Sequence, residues 1–226
     1  REWSSGEYLW EDGTVARGKI QLKSNVYQYS AINAFSRGTA EFGNSVMTES
    51  AEAKAALADL PEYMQMEAYV SLGKDWTMEE LENFAAQQEG ELGWVGVRTS
   101  PEERQFLPLM GFDTNSSGFF WENVDAVYPF YELSMHEDVP LAEAWKKHFL
   151  ALLQYSIDQG DFYARLNQSN DHGNACQAVQ KYVTENGVKT YGFLYYGTPA
   201  EMRKLLENED VEGIHVTDYQ LRVPGL

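Results

Sequence analysis

Two stretches of the chain repeat one order of hydrophobic and polar positions. Residues 64–99 run from a strand-like apolar stretch through a helical pattern to a second strand-like stretch, and residues 189–223 follow the same order. Within each helical pattern, apolar residues recur three positions apart, as in an amphipathic helix. The matching pairs are Leu81 with Phe84, and Met202 with Leu205. The pattern predicts two strand-helix-strand units, whether they share an origin or resemble each other by chance.

Both predicted helices begin with the same short motif. Thr77 is followed three residues later by Glu80, and Thr198 by Glu201. In such a capping box the threonine hydroxyl accepts a hydrogen bond from a backbone amide of the first turn, and the glutamate carboxylate accepts one from the threonine's own amide. Pro199 occupies the first helical position, where its missing N–H costs nothing. We therefore expect helices that begin directly after Thr77 and Thr198.

The segment between the two units contains further helical patterns. Residues 139–157 place large apolar side chains on one face and charged side chains on the other. The apolar face holds Leu141, Trp145, Phe149, Leu152 and Leu153, and the charged face holds Glu143, Lys146 and Lys147. A second helix is predicted over residues 174–187, with Asn186 and Gly187 as its C-terminal stop. Residues 134–140 and 164–173 are expected to be loops.

The N-terminal part of the chain has strand and turn signals. Asp12 and Gly13 stand between two strand-like runs, which is the strongest short signal of a β-hairpin. Residues 25–35 combine β-branched and aromatic side chains, which favours a strand. We expect an N-terminal hairpin extension followed by a strand.

A short helix is predicted before Pro61. Residues 48–60 are dense in Ala, Leu, Glu and Lys, with Thr48 or Ser50 as the possible cap. The composition changes at Pro61, so we place a soft boundary there between an extension over residues 1–60 and a main unit over residues 61–226. The predicted fold class is α+β, with a mixed β-sheet covered by helices, two strand-helix-strand units and the N-terminal hairpin.

Composition and charge exclude several classes of protein. The chain has 43% hydrophobic residues, which is too many for wholesale disorder. Its 35 acidic and 17 basic side chains give a formal net charge of -18, which repels nucleic acid and anionic lipid surfaces. The simplest interpretation of this spread charge is a surface that keeps the protein soluble.

The single cysteine limits the covalent and metal chemistry of the chain, and the first residue bears on whether the sequence is a fragment. Cys176 excludes an internal disulfide and a thiolate metal cluster, and its helical neighbours favour a buried packing role. No apolar run reaches the roughly 18 residues of a membrane helix. The sequence begins with Arg1 and not with Met. We expect a fragment whose upstream portion, with or without an anchor, has been removed.

Signatures of catalysis, metal binding and nucleotide binding are not found. The histidines stand singly, without the i,i+4 pair that binds zinc on one helical face, and they are His136, His148, His172 and His215. The nucleophile elbow, the dinucleotide glycine loop and the phosphate loop are likewise missing. We therefore predict no catalytic residues, no metal site and no cofactor.

One loop imitates a calcium-binding sequence. Asp113, Asn115 and Ser117 are alternating oxygen donors, and Gly118 supplies a turn at the sixth position. Position twelve is Val124, where a bidentate glutamate should complete the site. The better interpretation of Asp113–Gly118 is an Asx-type turn before a strand.

A dense aromatic segment follows this loop. Such a cluster lines a ligand groove or a partner interface, or it packs in the core as part of paired strands. The core interpretation is favoured. The residues are Phe119, Phe120, Trp121, Tyr128, Phe130 and Tyr131.

The C-terminal part of the sequence has a series of structural signposts, which carry no chemistry. They are the Tyr-Val and Asn-Gly pairs at the end of a helix, a Tyr-Gly pair in a strand, a Gly-Thr helix start and a leucine-bearing helix before the closing strand. Here these are Tyr182, Val183, Asn186, Gly187, Tyr191, Gly192, Gly197 and Thr198, followed by Leu205 to Val216. This series resembles the C-terminal domain of the sigma factor regulator family, and the resemblance covers residues 62–223.

The resemblance implies the outer domain of a bacterial membrane-anchored anti-sigma factor. In that arrangement a cytoplasmic segment, absent from this chain, binds the sigma factor, and this non-catalytic domain senses an unknown extracytoplasmic signal or protein. The family provides no binding residues to transfer, so the ligand-binding or partner-binding residues stay unassigned. The alternative is a secreted or surface binding module for carbohydrate or peptide, and a hydrolase comes third.

Overall fold

The computed structural model describes residues 15–16, 19–20, 48–49, 57–58, 60–101, 110–115, 124–167 and 171–221. Its strands are β1 (Val15–Ala16), β2 (Lys19–Ile20), β3 (Thr48–Glu49), β4 (Met64–Thr77), β5 (Glu91–Val97), β6 (Met110–Asp113), β7 (Lys189–Gly197) and β8 (Val211–Leu221). Its helices are α1 (Met78–Ala85), α2 (Val124–Val127), α3 (Leu141–Asp158), α4 (Gly160–Asn167), α5 (Asp171–Asn186) and α6 (Pro199–Leu205), and Leu133–Met135 form a 3-10 turn. The predicted α+β class is confirmed.

The main sheet has six strands in the order β3-β8-β4-β7-β5-β6. All of its strand pairs are antiparallel, so the prediction of a mixed sheet was wrong. The two strands of each strand-helix-strand unit do run parallel, but they are not neighbours. β7 lies between β4 and β5, and β4 lies between β7 and β8.

The two strand-helix-strand units are therefore interlocked. Each unit places one strand between the two strands of the other, so that β4 and β7 form the centre of the sheet. This is the split βαβ arrangement of the ferredoxin-like fold. The repeat seen in the sequence corresponds to two halves of one sheet and not to two separate lobes.

The predicted helix starts are confirmed. The Thr77 hydroxyl accepts from the backbone N–H of Glu80 at 3.2 Å, and the Thr77 N–H donates to the Glu80 carboxylate at 2.7 Å. The Thr198 hydroxyl accepts from the N–H of Glu201 at 3.3 Å, and the Thr198 N–H donates to the Glu201 carboxylate at 2.5 Å. Both capping boxes are complete, and Pro199 follows the second one.

One face of the sheet packs against helices. Phe84 of α1 lies with its ring centroid 5.2 Å from that of Trp76 and 5.4 Å from that of Phe193. At the other end of the sheet, the centroid of Phe112 lies 6.3 Å from that of Phe149 in α3. The core is thus built from the apolar face of β4 to β7 and from the buried stripes of α1, α3 and α6.

The predicted apolar face of α3 is confirmed apart from its first residue. Trp145, Phe149, Leu152 and Leu153 are buried, whereas Leu141 is 51% exposed. Leu141 is the first residue of the helix. It therefore lies at the end of the stripe, where the packed turns do not cover it.

The predicted end of α5 is also confirmed. α5 ends at Asn186, and Gly187 follows with a φ of 80°, a left-handed conformation that glycine adopts without strain. The loop predicted over residues 164–173 was wrong at both ends, because α4 extends to Asn167 and α5 begins at Asp171.

The N-terminal predictions have mixed outcomes. A hairpin exists, but Val15 pairs with Ile20 and Ala16 with Lys19, after the predicted turn residues. Those turn residues, at positions 12 and 13, and the strand predicted over 25–35 lie outside the described residues. Thr48 was expected as a possible helix cap and instead belongs to β3, opposite Ile214 of β8. Its β-branched side chain is compatible with a strand, and pairing with the sheet overrides the local signal.

Candidate functional site

A long insertion separates β5 from β7 and carries the candidate site. It contributes α3 and α5, which lie against each other. The side-chain amide of Gln180 in α5 donates to the amide oxygen of Gln154 in α3 at 3.0 Å. The ferredoxin-like sheet therefore serves as a platform for this helical layer.

A strained turn lies at one end of the helical layer. Phe130 has a φ of 69°, in the left-handed region that residues with a side chain rarely adopt. Its carbonyl accepts a hydrogen bond from Nδ1 of the buried His148 at 2.8 Å. Its ring stacks on His136 with centroids 3.8 Å apart, and the Lys147 ammonium lies 4.5 Å from the ring centroid. Strain of this kind persists only where neighbouring contacts enforce it, and such places are often functional.

The strained turn is closed by one carboxylate. Asp125 accepts from Nε2 of His136 at 2.8 Å through one oxygen. Its other oxygen accepts from the backbone N–H of Glu132 at 3.2 Å. Since both contacts come from residues on the far side of Phe130, Asp125 fixes the loop around the strained residue.

Burial keeps His148 neutral. The side chain is 1% exposed, and loss of hydration lowers its pKa to about 4. A neutral imidazole with the proton on Nδ1 fits its hydrogen bond to the Phe130 carbonyl. His148 thus acts as a structural donor that anchors the strained turn on α3.

A groove of about 710 Å³ runs between α3 and α5 and ends at the strained turn. The groove is open to solvent, so it is a surface depression and not an enclosed cavity. The residues along it recur with helical spacing, so each helix presents one stripe to the groove. They are Lys147, Leu150, Ala151 and Gln154 from α3, Gln177, Gln180, Lys181, Thr184 and Glu185 from α5, and Pro129 and Phe130 from the turn.

The polar side chains of the groove differ in whether they already form hydrogen bonds or ion pairs within the described residues. Lys147 forms an ion pair with Glu143 at 2.5 Å. The side-chain amide of Gln154, which accepts from Gln180, donates to the Asp158 carboxylate at 2.8 Å. Within the described residues, Gln177 and Lys181 have no side-chain hydrogen bond or ion pair. The groove therefore offers an uncommitted ammonium group and an uncommitted amide.

The other face of the sheet also carries aromatic and charged side chains. Tyr69, Trp94 and Tyr191 are each at most 4% exposed there. Arg98 forms two hydrogen bonds with Asp75 at 2.8 and 2.9 Å, and its guanidinium carbon lies 5.3 Å from the centroid of the Tyr191 ring. Because these groups are enclosed, they contribute to the packing of this face of the sheet.

Glycines on this face make room for the aromatic rings. A Cβ atom on Gly111 would lie 2.4 Å from the Trp94 ring and 2.0 Å from the carbonyl of Val95. At Gly96 the nearest atom to a Cβ would be 3.0 Å away, on the Tyr191 ring. Close packing of rings over glycine backbone explains these two glycines in β5 and β6.

Cys176 and the Asp113 loop, which were singled out from the sequence, have roles in packing and in a turn. Cys176 is fully buried, as expected, and its sulfur lies 3.8 Å from Nε2 of His172. The predicted Asx turn is present, since the Asn115 N–H donates to Asp113 at 2.9 Å. The third donor, Ser117, and the turn residue Gly118 lie outside the described residues. Among the described residues, no group of three or more His, Cys, Asp or Glu side chains could bind a metal ion.

The aromatic segment is not a pair of core strands where it is described. Tyr128, Phe130 and Tyr131 follow the short helix α2 and lie in turns, because the loop is folded around Asp125. Tyr131 is buried, and Phe130 borders the groove. The remaining aromatic residues lie outside the described residues, namely Phe119, Phe120 and Trp121.

The polar stripe of α5 was not recognised in the sequence. Gln177, Gln180, Lys181 and Thr184 recur with helical spacing, but an ordinary solvated helix face shows the same pattern. The stripe indicates a groove only when it is considered together with the stripe of α3 that faces it. The sequence does not show that these two helices are neighbours.

Comparison with models of known protein families matches residues 57–218 to the family described as sigma factor regulator C-terminal. Comparisons with curated proteins and with solved structures found no match. None of the helices within the described ranges has the length and apolar character needed to cross a membrane. Because the family match covers most of the chain, the protein belongs to the sigma factor regulator C-terminal family, which supports an anti-sigma-factor regulatory role.

Proposed function

We propose that this chain is the extracytoplasmic, signal-binding domain of a membrane-anchored anti-sigma factor, and that it acts by binding and not by catalysis. A cytoplasmic segment outside this chain would hold the sigma factor. The family match over residues 57–218 supports the regulatory part of this proposal. The groove supports the binding part.

The observation that carries the proposal is the meeting of the groove with the strained turn. A ligand that fills the groove contacts both helices and the Phe130 turn at once. A ligand shifts a conformational equilibrium only by its difference in affinity for the two states. A turn held in a strained conformation by a few hydrogen bonds is an element that such a ligand can stabilise or release.

The helix α3 connects the groove to the sheet. The Lys146 ammonium of α3 forms an ion pair with Glu79 of α1. The backbone N–H of Leu141 donates to Glu82 of α1 at 3.0 Å. Since α1 follows β4 directly, a displacement of α3 by a ligand reaches the centre of the sheet through these two contacts.

The placement of the domain is tested with fusions to the complete gene product. Alkaline phosphatase, which folds actively only outside the cytoplasm, is joined after Leu226, and a green fluorescent protein fusion at the same point serves as the matched control. We expect phosphatase activity without fluorescence. Fluorescence without phosphatase activity would show a cytoplasmic domain and overturn the extracytoplasmic placement.

The regulatory role is tested in the native cell with a promoter reporter. The sigma factor is first identified by co-purification with the full-length protein. We expect removal of residues 57–218 to change the output of its promoter while the sigma factor still co-purifies. Unchanged output, with the truncated protein present at normal level, would refute a signalling role for this domain.

The binding-module alternative shares the same groove. It differs in predicting a chain released from the cell and no effect on sigma-dependent transcription. Fractionation of the culture therefore separates the two, because an anchored regulator stays with the membrane fraction and a secreted module is found in the medium.

A further inference from the structure

We propose, building on the signal-binding role given above, that the groove between α3 and α5 binds a carboxylate-bearing oligosaccharide, that is, a short chain containing uronic acid residues. The lining of the groove combines uncommitted positive charge, carboxamide groups and a small apolar floor. Each of the three features matches one part of such a sugar.

The charge of the groove differs from that of the whole chain. The protein has a formal net charge of -18, yet the lining of the groove has two lysines and one glutamate. Lys181 lies one helical turn before Glu185, and no ion pair joins them. A carboxylate would thus find a cation at Lys181 that no side chain within the described residues already neutralises. Charge-assisted hydrogen bonds of this type are the strong ones.

The carboxamides suit vicinal hydroxyl groups. Each carboxamide has two N–H donors and an oxygen that accepts, so one side chain can serve two neighbouring hydroxyls. Gln180 donates to Gln154, which donates to Asp158, so these two amides are held in a fixed orientation with a second N–H left on each. Gln177 and Thr184 extend the same polar rim along α5.

The floor and the length of the groove fit a short sugar chain. Pro129, Leu150 and Ala151 supply apolar surface for the C–H face of a pyranose ring. The α5 stripe from 177 to 185 is about 12 Å long at the rise of an α-helix. With a volume of about 710 Å³, the groove is larger than a single monosaccharide needs. An extended peptide would instead require pockets for alternate side chains, and its binding is an outcome of the test below.

The test is titration calorimetry of the purified chain with trimers of galacturonate, glucuronate and mannuronate. Each trimer is compared with its methyl ester, which has the same hydroxyl groups but no charge. We expect at least one uronate trimer to bind, and its ester to bind about tenfold more weakly. A polymer of the same uronate distinguishes a free oligosaccharide from an envelope polymer, because only a site that accepts internal residues binds both with similar affinity per site.

Two lysine variants locate the site. Lys181→Gln should weaken binding of the trimer about tenfold, because it removes the uncommitted charge and leaves an unbranched polar side chain. Lys189→Gln is the matched control, since Lys189 is exposed at the start of β7 and is not among the residues that line the groove, so binding should be unchanged. Thermal unfolding of both variants checks that they fold.

Three results would overturn the proposal. They are equal binding of the trimer and its ester, equal loss in both lysine variants, and no binding of any uronate trimer, whether or not an unstructured peptide titrated in parallel binds. These measurements use the isolated chain and do not depend on the membrane. The phosphatase fusions test only where the domain lies, and the titrations test only what it binds. The outcome of one experiment therefore does not decide the outcome of the other.

Discussion

Nδ1 of His148 donates a hydrogen bond to the carbonyl of Phe130 over 2.8 Å, and this contact joins a buried side chain of α3 to the one described non-glycine residue with a positive φ. The donor is a neutral imidazole whose charged form is disfavoured by burial. Stability of the domain should therefore depend on pH through this residue.

We expect the free energy of unfolding to fall as the pH is lowered from about 6.5 towards 4. Unfolded His148 takes up a proton below its ordinary pKa of 6.5, whereas the folded protein resists protonation down to about 4. The stabilisation is thus complete above pH 6.5 and is lost as the pH falls, by up to about 3 kcal/mol. Urea unfolding at several pH values measures it. His148→Gln keeps an N–H donor and cannot titrate, so the difference in stability between wild type and variant should vary with pH, and a constant difference would contradict the prediction.

The strain at Phe130 predicts an unusual order of stability between two substitutions. Phe130→Gly and Phe130→Ala both remove the ring, but only glycine adopts a φ of 69° without strain. The glycine variant should therefore be more stable than the alanine variant by about 1 kcal/mol in urea unfolding. Asn83, exposed within α1, provides the control, because there the alanine variant should be the more stable one by a similar amount. The same order at both positions would argue against strain at Phe130.

The two capping boxes should contribute independently. Thr77→Ala and Thr198→Ala each remove the hydroxyl that accepts from the first turn, and each should lower the free energy of unfolding by about 1 kcal/mol. Serine at either position retains the hydroxyl and should restore most of the loss. The double alanine variant should show the sum of the single effects, since the two caps share no partner. Thermal and urea unfolding measure all of these, and a loss confined to one cap would show that the units are not energetically equivalent.

Two glycines of the sheet should differ strongly in how much alanine changes the stability of the protein. At Gly111 a Cβ would overlap the carbonyl of Val95 at 2.0 Å, so Gly111→Ala should destabilise the protein by about 3 kcal/mol. At Gly73 the nearest atom would be the carbonyl of Asp210 at 3.7 Å, which is ordinary contact. Gly73→Ala should therefore change stability by less than about 1 kcal/mol. Equal losses in urea unfolding would show that the packing of Trp94 over Gly111 is not tight.

A feature could be predicted from the sequence when the residues that form it are close together along the chain. The Thr77 and Thr198 helix starts were predictable because a capping box involves residues only three apart. The stripe of α3 was predictable for the same reason. The order of the sheet was not, because β4 pairs with β7 and β8, whose residues are more than a hundred positions away.

The candidate site was less predictable than the fold. The groove exists because α3 and α5 are neighbours, and each of its two stripes looks like a solvated surface when it is considered alone. The positive φ of Phe130 arises from hydrogen bonds to His148 and from the loop closed by Asp125, which nothing adjacent to Phe130 in sequence encodes. Thr48 shows the opposite case, where a plausible local helix signal yields to pairing with β8.

The interlocked sheet has a consequence for how the domain can move. Since the central strands β4 and β7 belong to different halves, neither half can detach or melt without breaking hydrogen bonds in the other. The sheet should open and close as a single cooperative block. A rearrangement caused by a ligand should then take place in the helical layer inserted between β5 and β7, whose packing can change without breaking the hydrogen bonds of the sheet.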